Sequence, residues 1–119
     1  MRYFGSWSEK QEMMANFEIN DEVLGDAVII AAVYDNEGYD GTAMVVLRKE
    51  GKLYEVHGSH CSCNGLEGQW DLEETSYEAL MDRLEKTKDY QIERFGEAFE
   101  QGLRRGLLDE LFEREVLLK

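Results

Sequence analysis

Apolar residues are concentrated in three stretches in the middle of the chain, and their pattern predicts three β-strands. Residues 27–34 are apolar at every position, which is typical of a strand buried on both faces. Residues 42–49 also place apolar side chains on both faces, and residues 52–56 follow after the turn pair Glu50-Gly51. The short connections between these strands favour an antiparallel meander.

Helical spacing predicts one short helix before the strands and one longer helix after them. In the first helix, apolar residues recur at helical intervals: Met13, Met14 and Phe17. The second helix begins at a capping box, in which Thr75 and Glu78 are three residues apart. It continues with a single apolar stripe at positions i, i+3, i+4 and i+7, formed by Tyr77, Leu80, Met81 and Leu84.

Residues 89–118 are also helical in pattern, although Gly96, Gly102 and Gly106 interrupt them. Each glycine costs about 1 kcal/mol of helix stability relative to alanine. Close packing against a neighbouring element would explain Gly102 and Gly106. Alternatively, Gly106 ends one helix and a separate final helix follows it. We expect a break at Gly106.

These elements predict a single α+β domain over residues 1–119. It contains a three-stranded antiparallel sheet (a meander), with an N-terminal helix and two or three C-terminal helices packed on one face. A chain of 119 residues is long enough for one hydrophobic core and too short for two ordinary domains. No stretch reaches the roughly 20 apolar residues of a membrane span. The N-terminus lacks a signal-peptide pattern, so we expect a cytoplasmic protein that does not contact a membrane.

The charge balance changes which partners are expected. The chain has 13 Lys and Arg against 26 Asp and Glu, a net charge of −13. Such an excess argues against direct binding to nucleic acid, whose phosphates repel an acidic surface. Two interpretations remain open. The charge either keeps the protein soluble, or it attracts a basic protein surface, including one that normally holds nucleic acid.

The interval between Lys52 and Arg83 contains no Lys or Arg, while acidic residues accumulate in it. The predicted partner-binding residues lie there, with Trp70 as an aromatic anchor: Glu67, Trp70, Asp71, Glu73, Glu74 and Glu78. Three of these acids directly precede the helix that starts at Thr75, where the helix dipole favours negative charge. Helix stability therefore explains part of the cluster without any partner.

Both histidines and both cysteines lie within seven residues that we expect to form a loop: His57, His60, Cys61 and Cys63. Thiolates and imidazoles are the ligands that zinc prefers, so these residues are a candidate metal site. However, adjacent side chains such as those of His60 and Cys61 diverge. Two alternatives remain: a structural loop with small buried cysteines, or a reactive cysteine activated by a neighbouring imidazole. No cofactor other than zinc is indicated.

The stretch from Gly58 to Trp70 reads G-S-H-C-S-C-N-G-L-E-G-Q-W. It resembles a signature of small acidic, uncharacterised proteins of tailed bacteriophages, and the similarity is clearest over about residues 38–84. The resemblance implies expression in the cytoplasm of an infected bacterial cell. It also implies binding to a host factor such as a restriction or CRISPR complex, a nuclease or a polymerase.

Our leading hypothesis is a non-enzymatic phage accessory protein that binds a host protein through its acidic surface. In this hypothesis it acts as a nucleic-acid-mimicking inhibitor of a host defence or nucleic-acid-processing factor. The alternative is a zinc-binding or reactive-cysteine protein that uses residues 57–63. A homodimer formed through the glycine-bearing face of the last helices is a further expectation.

Overall fold

The structure is a computed structural model that describes residues 2–37, 40–61, 65–85 and 90–118, with side chains for all of these except 37, 90, 91 and 113–118. Its elements follow in the order β1 (Tyr3–Gly5), α1 (Lys10–Phe17), α2 (Asp21–Leu24), β2 (Val28–Glu37), β3 (Asp40–Lys49), β4 (Lys52–His60), β5 (Glu73–Thr75), α3 (Tyr77–Glu85), α4 (Tyr90–Glu93) and α5 (Glu97–Leu118).

The strands form one five-stranded mixed sheet in the order β1-β2-β3-β4-β5, so the α+β class is confirmed and the prediction of three strands is wrong. The three predicted strands are the central ones, β2, β3 and β4, which pair as an antiparallel meander. β1 adds a parallel edge to β2, and β5 adds an antiparallel edge to β4. Each edge strand has only three residues, too few for the alternating pattern by which a strand is recognised.

Helices cover both faces of the sheet, so the prediction that they pack on one face is wrong. On the α1 face, Phe17 of α1 packs with Val45 and Val56 of the sheet. On the opposite face, which we call the α5 face, Phe99 packs with Val46. The cover on both faces follows from the sequence of the central strands. These strands are apolar at consecutive positions, so both of their sides carry apolar side chains that must be buried.

A β-bulge in β2 adjusts which residues lie on each face. The pairing of β2 with β3 shifts between Ile29 and Ala31. As a result, the consecutive residues Ile30 and Ala31 both lie in the core of the α5 face, while Ile29 and Ala32 lie in the core of the α1 face. A run that is apolar at every position gives no sequence signal for this change.

α5 runs from Glu97 to Leu118 without interruption, so the predicted break at Gly106 is wrong. The alternative explanation, close packing, is confirmed. Gly102 lies against the ring of Phe4 in β1, and Gly106 lies against Ile30 in β2. The glycine-bearing face of α5 is therefore covered by the protein's own sheet. This cover counts against a homodimer contact through that face, and a homodimer as such stays a prediction.

The predicted start of α3 and the predicted central hairpin are confirmed in most details. Asn20 caps α2 by accepting a 2.9 Å hydrogen bond from the backbone N–H three residues later. Ser76 caps α3 in the same way, at 3.1 Å, so the cap is one residue beyond the predicted Thr75. Glu50 and Gly51 both have positive φ, 53° and 78°, as a tight two-residue hairpin requires.

Candidate functional site

β4 carries polar side chains at alternate positions of the α5 face, namely Glu55, His57 and Ser59. The strand extends to His60, so the prediction that His57 and His60 belong to a loop is wrong. Because side chains of a strand alternate between faces, Glu55 and His57 share the α5 face, while His60 lies on the α1 face. Pairing with β3 places Met44 opposite His57.

The carboxylate of Glu55 is buried and fully engaged, with its side chain 7% exposed. One oxygen accepts a hydrogen bond from His57 Nε2 at 3.0 Å, and the other accepts one from Arg83 Nη1 at 2.6 Å. The hydroxyl of Thr75 is a further donor. Burial raises the pKa of Glu55, but these hydrogen bonds and the Arg83 charge outweigh it and lower the pKa to about 2. Ionised Glu55 therefore fixes the orientation of the His57 ring.

A cavity of about 240 Å³ opens beside His57 on the α5 face. It is lined by Thr42, Ala43, His57, Gly58, Ser59, Arg94 and Phe95. Thr42 and Ser59 are cross-strand neighbours, and Arg94 and Phe95 come from the turn between α4 and α5. Two hydroxyl groups, an imidazole and a guanidinium group therefore meet around one small space.

His60 forms a separate arrangement on the α1 face. Its Nε2 contacts the hydroxyl of Tyr34, and its Nδ1 lies 2.9 Å from the carbonyl oxygen of Cys61. A carbonyl oxygen only accepts, so in the neutral ring Nδ1 carries the proton and Tyr34 donates to Nε2. Gly41 lies against this ring, and a Cβ there would collide with it. Burial, and the nearby charge of Glu67, raise the pKa of Tyr34.

The described part of the chain does not bring the predicted zinc ligands together. His57 and His60 lie on opposite faces of β4, and each is hydrogen-bonded to another side chain. Cys61 is an exposed thiol, and Cys63 lies outside the described residues. Among the described residues, no group of three His, Cys, Asp or Glu side chains could hold a metal ion. A site using all four residues stays a prediction, and the divergence of the two imidazoles counts against it.

Residues 65–70 fold over the α1 face of β4 and give structural roles to much of the G-S-H-C-S-C-N-G-L-E-G-Q-W stretch. Leu66 is buried and packs against Gly58, where a Cβ would lie 2.9 Å from Leu66 Cδ2. The side-chain amide of Gln69 takes the place of a neighbouring strand. It accepts from the backbone N–H of Ser59 and donates to the Ser59 carbonyl, both at 2.9 Å.

Trp70, the predicted aromatic anchor, is partly built into the core of the α1 face. Its ring is half-buried and meets the ring of Phe17 edge-on, with the ring centres 5.1 Å apart. The part of the ring that remains exposed is the part that a partner could contact.

The predicted acidic residues are all exposed: Glu67, Asp71, Glu73, Glu74 and Glu78. Glu67 is separated from the others, in the loop over the α1 face. There the backbone N–H groups of Glu67 itself and of Gly65 lower the pKa of the Glu67 carboxyl. The remaining four lie along β5 and the start of α3, at one edge of the sheet. We call Asp71, Glu73, Glu74 and Glu78 the acidic edge.

The two basic residues that flank the acidic interval pair with particular carboxylates. Lys52 Nζ lies 3.9 Å from Glu74, and Arg83 is bound to the buried Glu55. The other residues of the acidic edge, Asp71, Glu73 and Glu78, form no ion pair with any basic side chain that the structure describes. Most of the negative charge of this edge is therefore left to solvent or to a partner.

Three residues of the cavity and its support were not found from the sequence: Thr42, Arg83 and Arg94. The sequence partly indicated that the side chains of Glu55 and His57 lie together, because residues two apart in a strand share a face. The helix turns that bring Arg83 and Arg94 to this face depend on how α3 and α4 cross the sheet. No local pattern encodes that crossing.

None of the helices within the described residues is long and apolar enough to cross a membrane. Comparisons of the chain with protein-family models, with curated proteins and with solved structures found no match in any of the three.

Proposed function

We propose that this protein binds a basic surface of a host protein through its acidic edge, as a nucleic-acid-mimicking inhibitor of a host defence or nucleic-acid-processing factor. The observation that carries the proposal is the unpaired state of Asp71, Glu73 and Glu78 with respect to the described basic side chains. These carboxylates are exposed and lie in a part of the chain, between Lys52 and Arg83, that contains no Lys or Arg.

The distribution of positive charge supports the same interpretation. Two arginines of the described structure are used in internal contacts, where Arg48 pairs with the buried Glu110 and Arg83 pairs with the buried Glu55. These arginine charges stabilise the fold. They do little to offset the negative electrostatic potential in the solvent next to the acidic edge. A surface of this kind attracts basic proteins, raises their association rate and repels nucleic acid.

An acidic edge also has a use that needs no partner. β5 is an edge strand, and charged residues on an edge strand prevent pairing with the strands of other chains. This protective role depends on charge at β5 itself, whereas partner binding depends on the surface as a whole. The two roles are therefore separable by substitution.

The test compares two triple variants of equal net charge. The edge variant carries Asp71→Asn, Glu73→Gln and Glu78→Gln. The control variant carries Glu9→Gln, Asp26→Asn and Asp109→Asn, all at exposed positions away from the acidic edge. Each protein is immobilised and exposed to bacterial lysate at about 0.05 M and about 0.5 M salt, because screening weakens contacts between exposed charges.

We expect the wild-type and control proteins to retain the same nucleic-acid-binding protein at low salt, and the edge variant to lose it. The purified partner should release its DNA or RNA when the wild-type protein is added. Equal retention by the edge and control variants would show that the acidic edge is not the binding surface. A lysate that yields no salt-sensitive partner would contradict the proposal as a whole.

A further inference from the structure

The cavity beside His57 collects polar groups that the rest of the fold leaves unused. The hydroxyl groups of Thr42 and Ser59 form no hydrogen bond with a described side chain. The Glu55 contact occupies His57 Nε2 and leaves Nδ1 without a partner among the described residues. These groups line one space of about 240 Å³. A set of free donors and acceptors around one cavity is what a polar ligand requires.

Arg94 carries a positive charge that no described carboxylate offsets. Among the other arginines whose side chains the structure describes, Arg48, Arg83 and Arg104 each pair with a carboxylate, whereas Arg2 and Arg105 do not. Arg94 lines the cavity, is exposed and forms no ion pair with a described carboxylate. In a chain of net charge −13, a guanidinium group that remains unpaired in this way is available to a negatively charged ligand.

The base of the cavity is preorganised. Glu55 holds His57 from below, and the carboxylate charge of Glu55 is itself offset by Arg83, 2.6 Å away. The strand pairing of β3 with β4 fixes the positions of Thr42 and Ser59. A ligand that enters therefore has few side chains to order, which lowers the entropy cost of binding.

We propose that this cavity binds the phosphate group of a small molecule, independently of the acidic edge. Phosphate oxygens accept hydrogen bonds from a guanidinium group and from hydroxyl groups. A singly protonated phosphate also has a hydroxyl that can donate to the free Nδ1 of His57, and a carboxylate lacks such a donor. The cavity is smaller than the roughly 300–1,000 Å³ typical of drug-sized ligands, which favours a small phosphorylated compound.

The test is a titration of the full-length, isotope-labelled protein with inorganic phosphate at about pH 6, followed by ¹H–¹⁵N NMR. At that pH most inorganic phosphate is dihydrogen phosphate, which has hydroxyl groups that can donate hydrogen bonds. Sodium acetate at matched ionic strength is the comparison anion. We expect saturable shifts of the backbone amides of Thr42, Gly58 and Ser59 with phosphate and not with acetate. The spectra also report directly whether each variant is folded.

The variant Arg94→Gln should weaken phosphate binding by about tenfold or more, as expected when a charge-assisted hydrogen bond is lost. Arg105→Gln, at an exposed position of α5, makes the same charge change and should leave the affinity unchanged. A nucleoside 5′-monophosphate that binds more tightly than inorganic phosphate, with added shifts near Phe95, would identify a nucleotide as the source of the phosphate. Equal affinities would identify free phosphate.

The proposal is overturned if no phosphate compound produces saturable shifts at the cavity. It is also overturned if acetate binds as well as phosphate does, or if Arg94→Gln retains the wild-type affinity. Loss of partner binding through the acidic edge has no bearing on any of these outcomes, because the cavity lies on the α5 face and its lining includes none of the acidic-edge residues.

Discussion

Gly106 of α5 lies so close to Ile30 of β2 that a Cβ on the glycine would be 2.8 Å from the Ile30 carbonyl oxygen. The same Cβ would lie 2.7 Å from Ile30 Cγ2. Ile30 is the first of the two consecutive β2 residues that the bulge turns toward the α5 face. The absence of a side chain at Gly106 thus allows the longest helix of the described structure to approach the sheet at its bulge.

We expect Gly106→Ala to destabilise the protein although alanine is the better helix former. Alanine would contribute about 1 kcal/mol through helix propensity, but a methyl group forced against a backbone carbonyl costs about 1–3 kcal/mol. Gly102→Ala is the matched control. Its Cβ would meet the ring of the half-buried Phe4, a side chain that can move, so the loss should be smaller. Urea unfolding of the two variants measures both effects, and a Gly106→Ala variant more stable than wild type would refute the close contact.

The buried Glu55 should make the stability of the fold depend on pH. Its pKa of about 2 in the folded state lies below the ordinary 4.5, so the ionised form is favoured by folding. The contribution is complete above about pH 4.5 and is lost as the pH falls toward about 2, with a total of roughly 3 kcal/mol. The free energy of unfolding, from urea titrations between about pH 7 and about pH 3, should fall more steeply for wild type than for Glu55→Gln.

An NMR titration of the Glu55 side-chain carboxyl measures the same pKa directly. A folded-state pKa at or above the ordinary value would show that the hydrogen bonds from His57, Arg83 and Thr75 do not outweigh burial. Equal pH slopes for wild type and Glu55→Gln would lead to the same conclusion.

Metal removal should leave the protein unchanged. His57 and His60 face opposite sides of the sheet and are bound to Glu55 and Tyr34, so the two imidazoles do not converge on one ion. We expect elemental analysis to find far less than one zinc ion per chain, and a chelator to leave the unfolding midpoint in place. Cys61→Ser, at an exposed position, should change stability by no more than about 0.5 kcal/mol.

A single zinc ion per chain that is lost in Cys61→Ser would instead establish the metal-binding alternative. Rapid alkylation of the Cys61 thiol near neutral pH, in the absence of metal, would favour the reactive-cysteine alternative.

The central part of the fold follows from sequence because its signals are local. The continuous apolar run of β2 and the positive-φ turn at Glu50 and Gly51 specify the meander, and Ser76 and Asn20 specify helix starts. The edge strands were missed because three residues carry no periodicity. The continuity of α5 could not be predicted, because Gly106 serves a tertiary contact with β2. Helix propensity takes no account of tertiary contacts.

The candidate site likewise has parts that could be predicted from the sequence and parts that could not. Exposure of Glu67, Asp71, Glu73, Glu74 and Glu78 could be predicted, since acidic residues are mostly exposed. The burial of Glu55 could not, because it depends on the tertiary contact with Arg83. The separation of His57 from His60 depended on finding that β4 continues to residue 60, because alternation along a strand then sends them to opposite faces. The cavity could not be predicted, because Arg94 reaches it from a turn that is distant in sequence.

Glu73 allows the acidic edge to be tested without any partner. It is paired across the strands with Glu55, and like charges directly opposite one another in an antiparallel pair destabilise a sheet. Glu73→Gln should therefore raise the free energy of unfolding by about 0.2–1 kcal/mol, and added salt should reduce this gain by screening. Glu74→Gln is the matched control. It removes the exposed contact with Lys52 and should be neutral or slightly destabilising. If Glu73→Gln proves destabilising, the carboxylate serves the fold, and its exposure is no longer an argument for recognition. If the variant is more stable while partner binding is lost, the charge is retained at a cost to stability, as expected of a residue that contacts a partner.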